Sequence, residues 1–131
     1  MSVLYLDSSA FVKTVVEERE SEPLLAYLAG ERGRFVSSAL IRTEAMRAAR
    51  FQDPEALARV RDALRRIDLI SIDERILDVA GRLDPTVLRS LDAIHVATAL
   101  ALGDDLDVVV TYDTRMIKAA SLLGIATATP Y

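Results

Sequence analysis

Apolar positions along this chain follow two alternating periods. Residues 3–6, Val-Leu-Tyr-Leu, form a short continuous run, and Phe11, Val12, Val15 and Val16 then recur at helical spacing. Ser21 is placed to cap a second helix, with Glu22 and Pro23 in its first turn and Gly30 just past its end. A short strand around Phe35 and Val36 leads into a helix from near Ser38 to about Arg50. Asp53 followed by Pro54 signals another helix start, residues 69–72 read as strand, and Asp73 caps the next helix. Residues 81–89 form a connection, after which Ser90 caps a helix over 91–102 that Gly103 terminates. Residues 108–111, Val-Val-Val-Thr, are β-branched throughout and make the clearest buried strand. Thr114 caps a last helix reaching Gly124, and residues 125–129 add a short edge strand. Strands alternating with helices predict an α/β domain whose mostly parallel sheet is covered on both faces.

Composition narrows the chemistry. At 131 residues and 51% hydrophobic, the chain is large enough for a real core and too apolar for disorder. With no cysteine it has no disulfides, thiolate ligands or Cys nucleophile. No apolar run approaches the ~18 residues of a membrane span. The N-terminus lacks a basic region, and Asp7 interrupts what would be the apolar core of a signal peptide, so a cytoplasmic location is expected.

Four acids stand where a core gains nothing from them. Asp7 ends the first strand, and Glu44 lies in the first or second turn of the helix after the second strand. Asp92 is two residues past Ser90, and Asp113 two past Thr111. In a parallel sheet with right-handed crossovers, strand exits and the N-termini of helices share one edge, where ligands bind. Carboxylates ~4 Å apart repel by roughly 4 kcal/mol at an effective dielectric of ~20. Such a cluster takes up protons or binds a cation. Oxygen donors, with His95 as the only histidine, point to Mg²⁺ or Mn²⁺ rather than zinc.

At these residues the chain resembles a PIN-domain ribonuclease, and more narrowly the VapC toxins of type II toxin–antitoxin pairs. The likeness rests on Val3-Leu4-Tyr5-Leu6-Asp7-Ser8-Ser9-Ala10, on Glu44, on Leu91-Asp92-Ala93-Ile94-His95-Val96-Ala97-Thr98-Ala99, and on Thr111-Tyr112-Asp113. It implies one PIN domain over residues 1–131 and a parallel sheet ordered 3-2-1-4-5. Asp7, Glu44, Asp92 and Asp113 match the family's acidic quartet, Thr111 its small hydroxyl residue, and Ser8 the residue after the first acid. The implied activity is Mg²⁺-dependent endoribonuclease, with Mn²⁺ as a substitute, acting through metal-activated water on structured RNA such as tRNA or rRNA. A homodimer and inhibition by a small cognate antitoxin are implied as well.

Each residue also has a plainer role open to it. Asp92 alone would be ordinary helix-dipole complementation, Glu44 a solvated helix residue and Asp113 a turn residue. Asp7 is the least easily explained this way, since Ser8 and Ser9 are on hand to cap the first helix. His95 lies one turn beyond Asp92 on the same face, as an outer contact of the site. Ser8 and Thr111 are placed to orient waters or to hydrogen-bond a ligand carboxylate. Asp104, Asp105 and Asp107 read as a solvated loop, lacking the spacing of a calcium loop.

The net charge of −4 argues against RNA only until the charges are placed. Without the four acids, the remaining sixteen acids match the sixteen bases. Seven arginines fall between Arg42 and Arg66; of these, Arg42, Arg47 and Arg50 are the candidates for RNA-backbone contact. Two other functions fit less well. A catalytically inactive PIN-like binding module would be expected to have lost one of the four acids. An aspartyl-phosphate phosphatase with Asp7 as nucleophile calls for a second Asp where Ser9 stands.

Overall fold

The computed structural model describes residues 2–85 and 88–131, so Thr86 and Val87 of the predicted 81–89 connection lie outside the described residues. Among the described residues, five strands are separated by one or two helices each, seven helices in all. The strands are β1 (Ser2–Leu6), β2 (Gly33–Ser38), β3 (Asp68–Ile70), β4 (Leu106–Val110) and β5 (Thr127–Ala128). The helices are α1 (Ser8–Val15), α2 (Ser21–Gly30), α3 (Ile41–Ala49), α4 (Ala56–Leu64), α5 (Glu74–Arg82), α6 (Ser90–Ala101) and α7 (Thr114–Leu122). All pairings are parallel, and the order is β3-β2-β1-β4-β5, as the resemblance implies.

The central strand separates two layers by its period of two. Val3 and Tyr5 pack with Ala93, Val96 and Ala99 of α6 and with Met116 and Ala119 of α7. Leu4 and Leu6 pack on the other face with Ala10 of α1 and Leu24 of α2. A third cluster, Phe11, Val15, Ile41, Ala45, Ala49, Ala56 and Val60, joins α1, α3 and α4. Its alanines let these helices approach closely, which fixes α3 beside the strand exits. An apolar groove of about 390 Å³ runs between α1, α2 and α4, lined by Leu6, Phe11, Val15, Leu25, Leu28 and Phe35 among others; none of the four acids lines it.

Two local details set the register. Gly33 pairs with Ser2, and a Cβ there would lie 2.3 Å from the Ser2 carbonyl oxygen, so only glycine lets β2 come this close to β1. Between Val3 and Leu4 the β1–β4 register shifts, and the Val3 N–H donates to Asp107 Oδ2 at 2.6 Å. Asp107 is thus a strand residue with a structural partner, not a solvated loop residue.

Two predicted caps move by one position for a common reason. Where a strand runs almost directly into a helix, the acid at the strand exit is itself the residue with extended backbone, and its carboxylate reaches the free N–H groups first. Asp7, rather than Ser8 or Ser9, caps α1, and Asp113, rather than Thr114, caps α7. Asp73 caps α5 as predicted. Ser90 and Ser21 are first helical residues, preceded by Arg89 and Glu20 without side-chain caps. Pro54 lies in a turn before α4 rather than at its first position, and Asp53 turns to Arg59 in a two-pronged pair at 2.8 and 3.0 Å.

Candidate active site at the strand exits

The edge formed by the strand C-termini collects the four acids, and topology explains why. β1 and β4 are parallel, and a short 3-10 turn (Gly103–Asp105) is all that separates α6 from β4. The helix must therefore run back from the C-terminal edge, which puts its first turn, with Asp92, beside the exit of β1. Asp7 follows β1 directly, Asp113 comes three residues after β4, and Glu44 is on the fourth residue of α3.

Asp7 is the most constrained of the four. It is 2% exposed, and protein donors take both its oxygens. Oδ1 accepts from the Ala10 N–H at 3.0 Å and from Ser9 Oγ at 2.7 Å; Oδ2 accepts from Thr111 Oγ1 at 2.5 Å. Thr111 Oγ1 also accepts from the Asp113 N–H at 3.1 Å, and so bridges the first and fourth acids. Despite three donors, burial pushes the Asp7 carboxyl above the ordinary aspartate range. Desolvation outweighs the hydrogen bonds here. A cap of this kind stabilises by about 1 kcal/mol, too little to offset an anion held out of water.

Asp92 is half-buried, and its carboxyl is also pushed up, first by burial and then by the charges of Asp113 and Asp7, with Glu44 adding a smaller rise. Asp7, Asp113 and Glu44 are thus near enough for their charges to act on Asp92. Glu44 Oε1 lies 2.6 Å from His95 Nε2, and Asp113 Oδ1 accepts from the N–H groups of Arg115 and Met116.

Among the described residues, no three His, Asp or Glu side chains are grouped closely enough to hold a metal ion as they stand. Asp7, Glu44 and Asp113 each spend at least one oxygen on a protein donor. In chemical kind the donors still suit a hard divalent cation: all are acidic oxygens, and Asp92 is disfavoured as an anion by its acidic neighbours.

The remaining site candidates fall into two groups. Thr111 touches Asp7, and His95 touches Glu44. Ser8 makes no hydrogen bond to Asp7 among the described residues; Ser9 does, and also accepts from the Tyr112 N–H at 2.9 Å. Sequence reasoning took the hydroxyl nearest in the chain, whereas the geometry of an N-cap brings the second one over the carboxylate. Tyr5 was also missed, since it counts as a core residue until its hydroxyl is seen 2.6 Å from His95 Nδ1.

Of the basic segment, Arg59 and Arg66 are paired with Asp53 and Asp62. Arg42, Arg47 and Arg50 are exposed without an ion pair among the described residues, and Arg50 stacks over the ring of the exposed Phe51 at 4.4 Å. No helix among the described residues is long and apolar enough to cross a membrane.

Comparison with known proteins gives a consistent family. The PIN domain profile matches residues 4–122. Ribonuclease VapC46 of Mycobacterium tuberculosis is 51% identical over 130 residues, spanning 99% of each chain. Ribonuclease VapC35 of the same organism is 40% identical over 131 residues, covering 98% of this chain and 97% of that one. A solved toxin-antitoxin complex from Klebsiella pneumoniae superposes with a TM-score of 0.74 at 25% identity, over 99% of this chain and 98% of that chain. The crystal structure of Mycobacterium tuberculosis VapC20, a sarcin-ricin loop cleaving toxin, has the same fold, with a TM-score of 0.76 at 15% identity over 97% and 99% of the two chains. With the acids gathered at the sheet edge of this fold, the chain belongs to the VapC toxin family of PIN-domain ribonucleases.

Proposed function

We propose that the protein is the toxin of a type II toxin–antitoxin pair, an endoribonuclease that hydrolyses RNA phosphodiester bonds with a divalent cation, Mg²⁺ or in its place Mn²⁺. The observation that carries this assignment is the placement of Asp7, Glu44, Asp92 and Asp113 at the strand exits, where the charges of the other three make Asp92 costlier to ionise. Membership of the PIN family supports divalent-metal chemistry at that place.

Asp7, Asp92 and Asp113, with Glu44, are the residues that would hold the cation. When bound, it supplies charge neutralisation at the scissile phosphate and an activated water. The chain's own contribution is positional. Ser9, Thr111 and the Ala10 N–H keep Asp7 in one orientation, and Thr111 ties it to the Asp113 backbone. Arg42, Arg47 and Arg50 are the exposed guanidinium groups in this reading that meet RNA phosphates. The α1–α2–α4 groove offers an apolar bed for an amphipathic antitoxin helix, in keeping with the Klebsiella relative solved as a toxin-antitoxin complex. A homodimer completes the family pattern.

Mapping cleavage ends on total cellular RNA tests the assignment. Cleavage is expected with Mg²⁺, to stop with a chelator, and to be suppressed by co-expression of the small protein encoded beside the gene. The ends should be 5′-phosphate and 3′-hydroxyl, because water rather than the substrate's 2′-hydroxyl is the nucleophile. Cyclic-phosphate ends, or cleavage that survives chelation, would overturn it. Absence of cleavage under all conditions would favour the alternative of an inactive PIN-like binding module, with which the lack of a closed three-acid group among the described residues is consistent.

Salt dependence separates phosphate contact from mere surface charge. Replacing Arg42, Arg47 and Arg50 together with alanine should raise KM and flatten the dependence of RNA affinity on salt by about 0.7 in log–log slope per lost contact. An unchanged slope would place these arginines outside the RNA interface.

A further inference from the structure

Tyr5, His95 and Glu44 form a hydrogen-bonded chain from the interior of the sheet layer to the acidic cluster. The Tyr5 hydroxyl is 2.6 Å from His95 Nδ1, and His95 Nε2 is 2.6 Å from Glu44 Oε1. The Ser38 N–H donates to the same phenol oxygen at 3.1 Å. Tyr5 and His95 are both fully buried, with their rings edge-on at 75°. The three side chains come from β1, α6 and α3, so this chain stitches together three elements that meet only in the folded protein.

The partners determine where the protons lie. A phenol is protonated at neutral pH, and an O–H facing an imidazole nitrogen that lacks a proton donates to it, while the phenol oxygen accepts the Ser38 N–H. The ring proton of His95 then sits on Nε2 and donates to the Glu44 carboxylate. The opposite tautomer would set an imidazole lone pair against the carboxylate and leave no donor between them.

Glu44 needs such a partner more than Asp7 and Asp113 do. Asp7 and Asp113 are fixed by the helices they cap, whereas Glu44 has a longer side chain within a helix and no backbone donor. Its Oε2 makes no hydrogen bond among the described residues, so the His95 contact alone orients the carboxylate.

We propose that His95 is a positioning residue for Glu44: Tyr5 sets the imidazole tautomer, and the Nε2–H holds Oε1 so that Glu44 stays in the acidic cluster with Oε2 available to a cation. This rests on the assignment of the four acids as a divalent-cation site. Outer partners of metal ligands recur as such orienting devices; here the usual order is turned round, with the imidazole orienting the carboxylate.

Mn²⁺ binding, followed by the loss of the free-ion paramagnetic resonance signal, tests the proposal alongside thermal denaturation of each variant. Asp7→Asn should lose Mn²⁺ outright. His95→Ala should weaken Mn²⁺ binding by about 10- to 100-fold. His95→Gln, which keeps an N–H donor near the position of Nε2, should recover much of that loss. Tyr5→Phe, with the imidazole present but its tautomer unset, should fall between wild type and His95→Ala. A purely structural His95 would lower thermal stability without this graded order in metal affinity.

If Asp7→Asn loses Mn²⁺ while His95→Ala and Tyr5→Phe bind it as tightly as wild type, the positioning role is wrong and the metal site stands. Should His95→Ala not fold, Tyr5→Phe binding Mn²⁺ as tightly as wild type, or His95→Gln binding it as poorly as Asp7→Asn, overturns the role equally. Failure of the wild type to bind Mn²⁺ removes both the metal assignment and the role built on it.

Discussion

Asp7→Asn is expected to abolish RNA cleavage and, in the metal-free protein, to raise stability. Loss of an outer partner of a metal ligand typically costs 10- to 100-fold, so loss of Asp7 as a direct ligand, the role proposed for it, should cost more than about 100-fold. The stability gain follows from burial. Asparagine keeps an oxygen for the Ala10 N–H and Ser9, and its amide can donate to Thr111 Oγ1, so the cap survives without the charge.

The pH dependence gives this prediction its sign. The carboxyl of Asp7 is raised in the folded state above its unfolded value of ~3.9. Its protonated form is therefore the one the fold favours. That contribution is fully present below about pH 4 and is lost as pH rises through the raised folded value. At neutral pH the wild type bears the cost of a buried anion and the variant does not. Removing such functional strain commonly gains about 1 kcal/mol, or roughly 4 °C in Tm for a domain of this size. The Tm difference between Asp7→Asn and wild type, measured in chelator, should widen between pH 4 and pH 7. A variant less stable than wild type at pH 7 would mean that the hydrogen bonds outweigh desolvation at Asp7 after all.

Phe11→Ala should be the most damaging of the core truncations, at about 3–5 kcal/mol. Phe11 is 3% exposed and sits among Val15, Ile41, Ala45, Ala49 and Val60. Half of the buried cluster residues on α3 and α4 are alanines (Ala45, Ala49 and Ala56), which have no side-chain reach to refill the space, so the cavity should persist. Against a total of about 5–15 kcal/mol for a typical domain, such a loss leaves a marginal fold. Because α3 carries Glu44, loosening this cluster also loosens one side of the site. Urea denaturation measures the effect, with the exposed Phe51→Ala as the control expected to stay within about 0.5 kcal/mol of wild type. A loss below 1 kcal/mol at Phe11 would show that the three helices can collapse onto the gap.

Much of the architecture is legible in local pattern. The β-branched run of β4, the apolar run of β1 and the helical spacing after each belong to residues that must be buried whatever lies opposite them. Alternation of the two periods then leaves few topologies besides a parallel sheet. The four acids were legible as well, since a carboxylate at a strand exit or helix start is conspicuous by its place in that pattern. Helix starts were less so. Ser8, Ser90 and Thr114 are all good caps by residue type, yet the extended residue one place earlier has that position in each case.

The α/β alternation and most core positions follow from the chain itself, because each depends on burial and spacing within a single element. Which groups the four acids meet depends on how separate elements pack. Thr111 and Asp7 are 104 residues apart, and Glu44 and His95 are 51 apart. Contacts between side chains from different elements leave no period in the chain. They depend on sheet order and on which way a helix runs beside it, and these placed Ser9 and Thr111 on Asp7 and Tyr5 behind His95.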